Sequence, residues 1–455
     1  MKPAKLLLAL LAAFSLIAAA CGGGDDDGSA DAEDSSATEA ETEASGDDEA
    51  STDDGDETAA PASDIDKIEV MTRWLEGEDT AAAFAAVAEK FTADTGIEVE
   101  IIGEGGEDLD VAYETALLGG AEPHLVVINL FDKTTGWLDA GAVVDVDPYI
   151  DEWGLRDSVN PEAVGEWTTA DGQVQGFPYS GFAWPFWYNT AALADAGIDG
   201  VPVTTDELIA AADALRDNGV APVVVGGSDW SGQKLFMQIA QMYTGPQGIS
   251  SLLQEGGFCA SDQAMQGITL FSDLLEAGVF IDDVEGYTAD LMNETFYTSG
   301  AAMMPAGSWA FGDTPEDLIP NIELGGFPLP DGSAYEKPTV YQGFTGVGYM
   351  ISPRGEEEAI GALQTLITML YAEENYSTFV PANIVPAIQL SDLSVASDPL
   401  LQLALASEYN DATDVALLMD VWVPPASNDG VGQAIALAYS GGSPDEVCAA
   451  LDSAY

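Results

Sequence analysis

One histidine, three cysteines and 79 carboxylates bound the chemistry this sequence can perform. A nucleophilic relay needs an imidazole beside a serine or cysteine, so it would have to be built on His124. That residue stands in Glu122-Pro123-His124-Leu125, at the entry to an apolar run, with no nucleophile elbow nearby. A structural role fits it better. Paired carboxylates could hydrolyse a glycoside, but among so many acids some pair is always close, and the pattern carries no information. Asp145 and Asp147 are spaced like calcium ligands, yet Pro148 follows and the glycine and distal glutamate of a calcium loop are missing. With no CxxC pair and a single histidine, zinc has no ligand set. No GxxxxGK[ST] loop and no strand-linked GxGxxG turn offers itself to nucleotide phosphates. The sequence predicts no catalytic residue, no metal and no cofactor.

The residues suited to binding are aromatic. Trp74 and Phe131 each follow an apolar, strand-like run. Tyr179, Phe182, Trp184, Phe186, Trp187 and Tyr188 crowd one stretch that also carries Gly and Pro. Trp230 follows Val223-Val224-Val225 and Gly-Gly, Trp309 follows Ala-Gly-Ser, and Trp422 precedes Val-Pro-Pro. Ligands of open α/β sheets bind beyond the carboxyl ends of the strands. Aromatic rings placed there stack on the C–H faces of a polyhydroxylated ring, while Glu, Asp, Asn or Gln take its hydroxyls. For any ring within 182–188, core or interface packing fits equally well.

The elements that must hold these rings follow from periodicity. Ile68–Met71 reads as a strand. Phe84, Val87 and Phe91 recur at helical spacing from Thr80, and Gly96 stops that helix. Ile97, Val99 and Ile101 alternate as a strand, 111–118 is helical, and Leu125–Ile128 is a further strand. This βαβαβ order predicts a parallel sheet covered by helices. Thr204-Thr205-Asp206-Glu207 has the form of a capping box opening a second α/β unit, with Val223–Val225 as its buried strand. Helices are expected at 261–277, 289–297, 356–373, 431–439 and 444–453, with strands at 301–304 and 346–351.

The N-terminus is a processing segment. Lys2 and Lys5 precede an apolar run from Leu6 to Ile17, and Ala18-Ala19-Ala20 precede Cys21. Residues 1–20 resemble a bacterial lipoprotein signal peptide, which implies acylation of Cys21 and anchoring at the extracellular face of the cell membrane. Residues 21–64, rich in Gly, Ser, Ala, Thr, Asp and Glu, are expected to form a disordered acidic tether. As a flexible coil it would span roughly 35–40 Å. The remaining residues, about 390, exceed one core and predict two lobes. The formal net charge of −68 makes nucleic acid and anionic membrane surfaces poor partners. Cys259 and Cys448, an even pair in an exported chain, invite a disulfide.

An ordered set of landmarks resembles the extracellular solute-binding proteins of ABC importers, the group that includes maltose-binding protein. They are Trp74 after the first strand, Phe91-Thr92-Ala93-Asp94-Thr95-Gly96, Leu125–Ile128, Leu138-Asp139-Ala140-Gly141-Ala142, Gly176–Asn189, Gly300–Met304 with Gly307-Ser308-Trp309, and Gly343-Phe344-Thr345-Gly346. His124 departs from the pattern, which usually has Asp there. The resemblance implies an α/β, two-lobed fold of the periplasmic-binding-protein type II kind, with a hinge between lobes. Lobe 1 would be 65–181 with 340–385, and lobe 2 would be 182–339 with 386–455. Cys259 and Cys448 then share a lobe. By position the resemblance assigns ligand contacts to Trp74, Glu76, Phe131, Tyr179, Trp230, Trp309, Gly343 and Phe344, and Trp184 of the aromatic stretch is expected to join them. Asp229 and Gln233 are expected beside Trp230 as hydroxyl partners, and Asn383 as a further contact. The implied protein is a non-enzymatic, monomeric substrate-binding component. It takes a carbohydrate, expected to be an oligosaccharide, and delivers it to membrane permease subunits. A cationic ligand such as a polyamine, and an exported glycoside hydrolase, are the competing readings.

Overall fold

The computed structural model describes residues 65–455 apart from Glu107, Asp132 and Ala170. The signal segment, Cys21 and the tether lie outside the described residues.

The first sheet begins as the periodicity requires. β1 (Lys67–Thr72) buries Ile68 and Val70 completely. The helix Asp79–Thr95 lays Phe84, Val87, Ala88 and Phe91 against it. Gly96 ends that helix with φ 78°, a left-handed conformation that costs glycine little, and its N–H donates to Thr92 O. β2 (Glu98–Gly103) pairs parallel to β1 at the sheet's edge, which explains its mostly exposed side chains. The helix Leu109–Leu118 then leads to β3 (Leu125–Ile128), parallel to β1 on its other side and buried throughout.

Beyond β3 the sheet becomes mixed. β4 (Phe177–Trp184) joins it, and β5 (Phe186–Asn189) starts a second sheet one residue later. The second sheet gains β6 (Ala221–Val223), β7 (Ala301–Pro305) and β8 (Ile322–Gly325), in the order β6-β7-β5-β8. β6 and β7 are parallel, so their carboxyl ends share one edge. The chain returns through 326–338 to β9 (Thr339–Ile351), which pairs antiparallel with both β3 and β4. The short β10 (Val385–Pro386) and β11 (Asp414–Val415) complete the order β10-β4-β9-β3-β1-β2, with β11 on β9. The parallel sheet expected from the βαβαβ order is therefore confined to β1, β2 and β3. β9 extends seven residues upstream of the predicted 346–351 strand, because its first half pairs with β4.

Thr204 forms the capping box with Glu207 that opens the helix Thr205–Asp217. The last helices, Asn428–Tyr439 and Pro444–Asp452, pack with Trp230–Ala240 and Asp262–Glu276. Cys259 and Cys448 are bonded, tying the last helix to residues 189 positions earlier. His124 is buried. Its Nδ1 accepts from the Glu69 N–H at 2.9 Å and its Nε2 faces a Glu358 oxygen at 3.4 Å.

Candidate functional site

Trp230 and Trp309 come from neighbouring strand ends of the second sheet. After β6, the segment Val224–Asp229 turns sharply into the helix Trp230–Ala240. Glycines make that turn possible. A Cβ on Gly226 would sit 2.2 Å from Ser231 Oγ, and one on Gly232 would sit 2.4 Å from Gly226 O. Asp229 caps the helix: its Oδ1 accepts from Ser231 N–H and Oγ–H, and its Oδ2 accepts from Ala289 N–H at 2.6 Å. Trp230 is thus fixed as the first helical residue. After β7, the 3-10 turn Ser308–Ala310 carries Trp309. The Trp309 ring folds back over Gly307, where a Cβ would lie 2.1 Å from its Cη2.

Trp184, at the end of β4, completes a cluster. Its ring lies 5.5 Å from Trp230 and 5.1 Å from Trp309, edge to face in both cases, and Trp230 lies 5.9 Å from Trp309. Phe182 backs Trp309 at 6.4 Å and Tyr341 backs Trp184 at 5.9 Å. Trp184 is only 6% exposed and its indole N–H has no hydrogen-bond partner, whereas Trp309 is 48% exposed. An aromatic surface this large, held rigidly from behind and open in front, is suited to stacking on an apolar ring face.

The other expected residues separate into distinct environments. Trp74 is 6% exposed and packs on Phe84 and Phe379 at 5.9 Å each. Tyr179 has no exposed surface and sits among Tyr349, Tyr371, Tyr376 and Phe379, with its hydroxyl donating to Leu370 O. Burial pushes the Tyr179 phenol well above its ordinary range. Both rings belong to the first sheet's core and present little or no surface to a ligand. Glu76 is exposed on the loop after β1. Phe131 is half-buried beyond β3, its N–H donating to Thr134 Oγ1. Asp229, expected as a hydroxyl partner, has both carboxylate oxygens committed to the turn. Gln233 points toward the helix Asn428–Tyr439, its Nε2 3.0 Å from where a Cβ on Gly432 would stand. Asn383 adopts φ 60° and keeps its Oδ1 buried without a partner. Its Nδ2 reaches to 3.1 Å from the Cβ position of Gly312, just past the Trp309 turn.

Gly343 and Phe344 lie where β9 slips register against β4. Two consecutive residues hold both polar atoms of Phe344. Glu166 Oε2 accepts its N–H at 2.6 Å, and Trp167 Nε1–H donates to its carbonyl at 2.8 Å. Glu166 is exposed as a residue, but its carboxylate is folded onto the Gly343–Phe344 backbone. Desolvation there pushes its pKa up to about 7. The Phe344 hydrogen bond opposes that rise, and nearby Glu162 adds to it. Sequence reasoning missed Glu166, because one carboxylate among 79 carries no pattern.

Two sheets are linked by crossing strands, with an exposed aromatic cluster at the strand ends of the second. This is the mixed α/β fold of two-lobed periplasmic solute-binding proteins. Residues 76–376 match the family of bacterial extracellular solute-binding proteins, and the chain belongs to that family. A probable secreted solute-binding lipoprotein from Streptomyces coelicolor is 38% identical, with a TM-score of 0.76 over 87% of this chain and 99% of that one. A chitin oligosaccharide binding protein shares the fold at 20% identity, with a TM-score of 0.72 over 84% and 97%. A probable sugar-binding periplasmic protein of Rhizobium meliloti is 26% identical over 56% of this chain. The chain spans 61% of that relative's length.

Proposed function

We propose that this protein is the extracellular substrate-binding component of an ABC importer, that it captures a carbohydrate on the Trp184–Trp230–Trp309 surface, and that it passes the ligand to permease subunits without altering it. The observation that carries the reading is Trp309, exposed at the end of β7 and braced by two further tryptophans, in a chain of the solute-binding family. The sugar-binding description of the Rhizobium meliloti relative supports it.

In this reading the lobes are 65–181 with 340–385 and 182–339 with 386–455. The passages between sheets at Pro185 and through 326–338 support that division, as does the packing of the last two helices on Trp230–Ala240 and Asp262–Glu276. The lobes close on the ligand because it favours the closed state. Cys21 anchors a monomer at the extracellular face of the membrane, and residues 22–64 hold the lobes clear of it. The lipoprotein description of the Streptomyces coelicolor protein supports the anchor.

Asp229, the carboxylate next to Trp230, has both oxygens engaged in the turn, which disfavours a polyamine there. The test is a thermal-shift screen over monosaccharides, oligosaccharides and polyamines, followed by calorimetry on each hit. A sugar that raises the melting temperature, and whose affinity falls more than tenfold in Trp309→Ala, is the expected result. Strong polyamine binding with no sugar response refutes the reading. Turnover of aryl-glycosides abolished by a single carboxylate substitution refutes it too.

A further inference from the structure

We propose that the ligand is held by a single stacked, uncharged sugar ring, so that neutral mono- and disaccharides are taken and acidic sugars are excluded. This rests on the carbohydrate reading and narrows it. It departs from the expectation of an oligosaccharide.

Ring number follows from how the aromatic surface is shared out. Among the described residues Trp309 is the one Trp or Phe that is exposed. The three tryptophans form a triangle, with centroids 5.1, 5.5 and 5.9 Å apart. Each ring therefore spends much of its surface on the other two. A ladder for a longer saccharide needs open faces in a row, one for each successive sugar or every second one. The first sheet offers no ring as open as Trp309: Trp74 is packed on Phe84 and Phe379, Tyr179 within β4 is wholly buried, and Phe131 beyond β3 is half-buried. One open platform stacks one ring.

Charge follows from the cations near these strand ends. Lys234 lies one helical turn after Trp230, buried and paired with Asp420. On the other sheet, Arg73 donates to Asn129 Oδ1 at 2.7 Å and Lys133 pairs with Asp110 at 2.8 Å. A sugar carboxylate would have to share a cation that already has a partner and approach a chain of net charge −68. A neutral ring meets neither cost.

The decisive experiment is calorimetry of the full chain against glucose, galactose, xylose and N-acetylglucosamine. The panel adds the di-, tri- and tetrasaccharides of glucose, xylose and N-acetylglucosamine, with glucuronate and galacturonate. The expected pattern has four parts: the best affinity at one or two rings, less than a tenfold gain from disaccharide to tetrasaccharide, uronates at least tenfold weaker than the best neutral sugar, and a more than tenfold loss in Trp309→Ala. Trp309→Phe, which keeps a smaller platform, should lose less than Trp309→Ala and shows that the loss is not one of folding. A tenfold or greater gain with length overturns the one-ring inference, as does a loss no larger in Trp309→Ala than in Trp309→Phe. Uronates binding within tenfold of the best neutral sugar overturn the exclusion of charge. Binding of nothing in the panel removes the carbohydrate reading beneath both.

Discussion

Trp74 and Trp309 occupy equivalent places in the chain: each follows a strand at the carboxyl edge of its sheet. Their environments are opposite. Trp74 is closed over by Phe84 from the next helix and by Phe379, some three hundred residues downstream. Trp309 is supported from behind by Trp184, Trp230 and Phe182 and is half open in front. Position at a strand end makes a ring eligible for a site. What packs across its free face decides whether it becomes one, and that depends on residues remote in sequence.

Paired substitutions break this comparison most directly. Tyr179→Ala, in the core of the first sheet, should cost about 3–5 kcal/mol, as large-to-small aromatic changes in cores do. Trp309→Ala should change stability by less than about 1 kcal/mol, as at exposed sites, while its tenfold loss of affinity corresponds to about 1.4 kcal/mol. Denaturant melts and calorimetry on both variants check the crossover. A stable Tyr179→Ala with weakened binding would place that ring in the site instead.

Gly307→Ala sharpens the same contrast at smaller scale. Gly307 has φ −82°, so alanine meets no backbone strain, but its methyl would stand 2.1 Å from the Trp309 ring. The ring must move. We expect a several-fold loss of affinity and altered tryptophan fluorescence, with little change in melting temperature. Unchanged affinity would mean that the ring's resting position is not the binding one.

Much of the first sheet was legible in sequence because its helices are amphipathic and its strands lie between clear breakers. Ala289–Tyr297 and the Thr204 capping box fall at their expected places. β4 and β5 were not legible. Every residue from Phe177 to Trp184 and from Phe186 to Asn189 is buried, so no polar alternation marks them as strands. The helix Trp230–Ala240 is hidden for a related reason: Lys234 and Gln238 are buried within it, on Asp420 and Thr339. The aromatic candidates were legible as a set, and their division into core and surface was not.

Glu166 offers a pH test of the Gly343–Phe344 clamp. Its folded-state pKa, about 7, lies above the ordinary 4.5. The folded state then prefers the protonated acid, and stability is lost as pH rises from 4.5 through 7. Glu166→Gln keeps an acceptor for Phe344 N–H and removes the charge. Its denaturation midpoint should match the parent near pH 4.5 and exceed it above pH 7. Parallel curves would show a carboxylate that remains hydrated.

The smallest effect concerns His124, on the same sheet. Burial, and then the Arg354 charge, hold its imidazole below the ordinary 6.5, while Glu358 and Glu69 partly offset them. Because the folded pKa is depressed, the unfolded chain takes up the proton first. The group therefore costs nothing above pH 6.5 and destabilises the fold progressively as pH falls from there to the folded pKa. His124→Asn can still accept from the Glu69 N–H through its amide oxygen, but cannot be protonated. Its stability should fall less steeply than the parent's below pH 6.5. Measured by denaturant melts at successive pH values, equal slopes would assign the acid sensitivity to the carboxylates paired with Arg354 instead. They would leave His124 as a neutral strut between β1 and the helix Pro353–Tyr371.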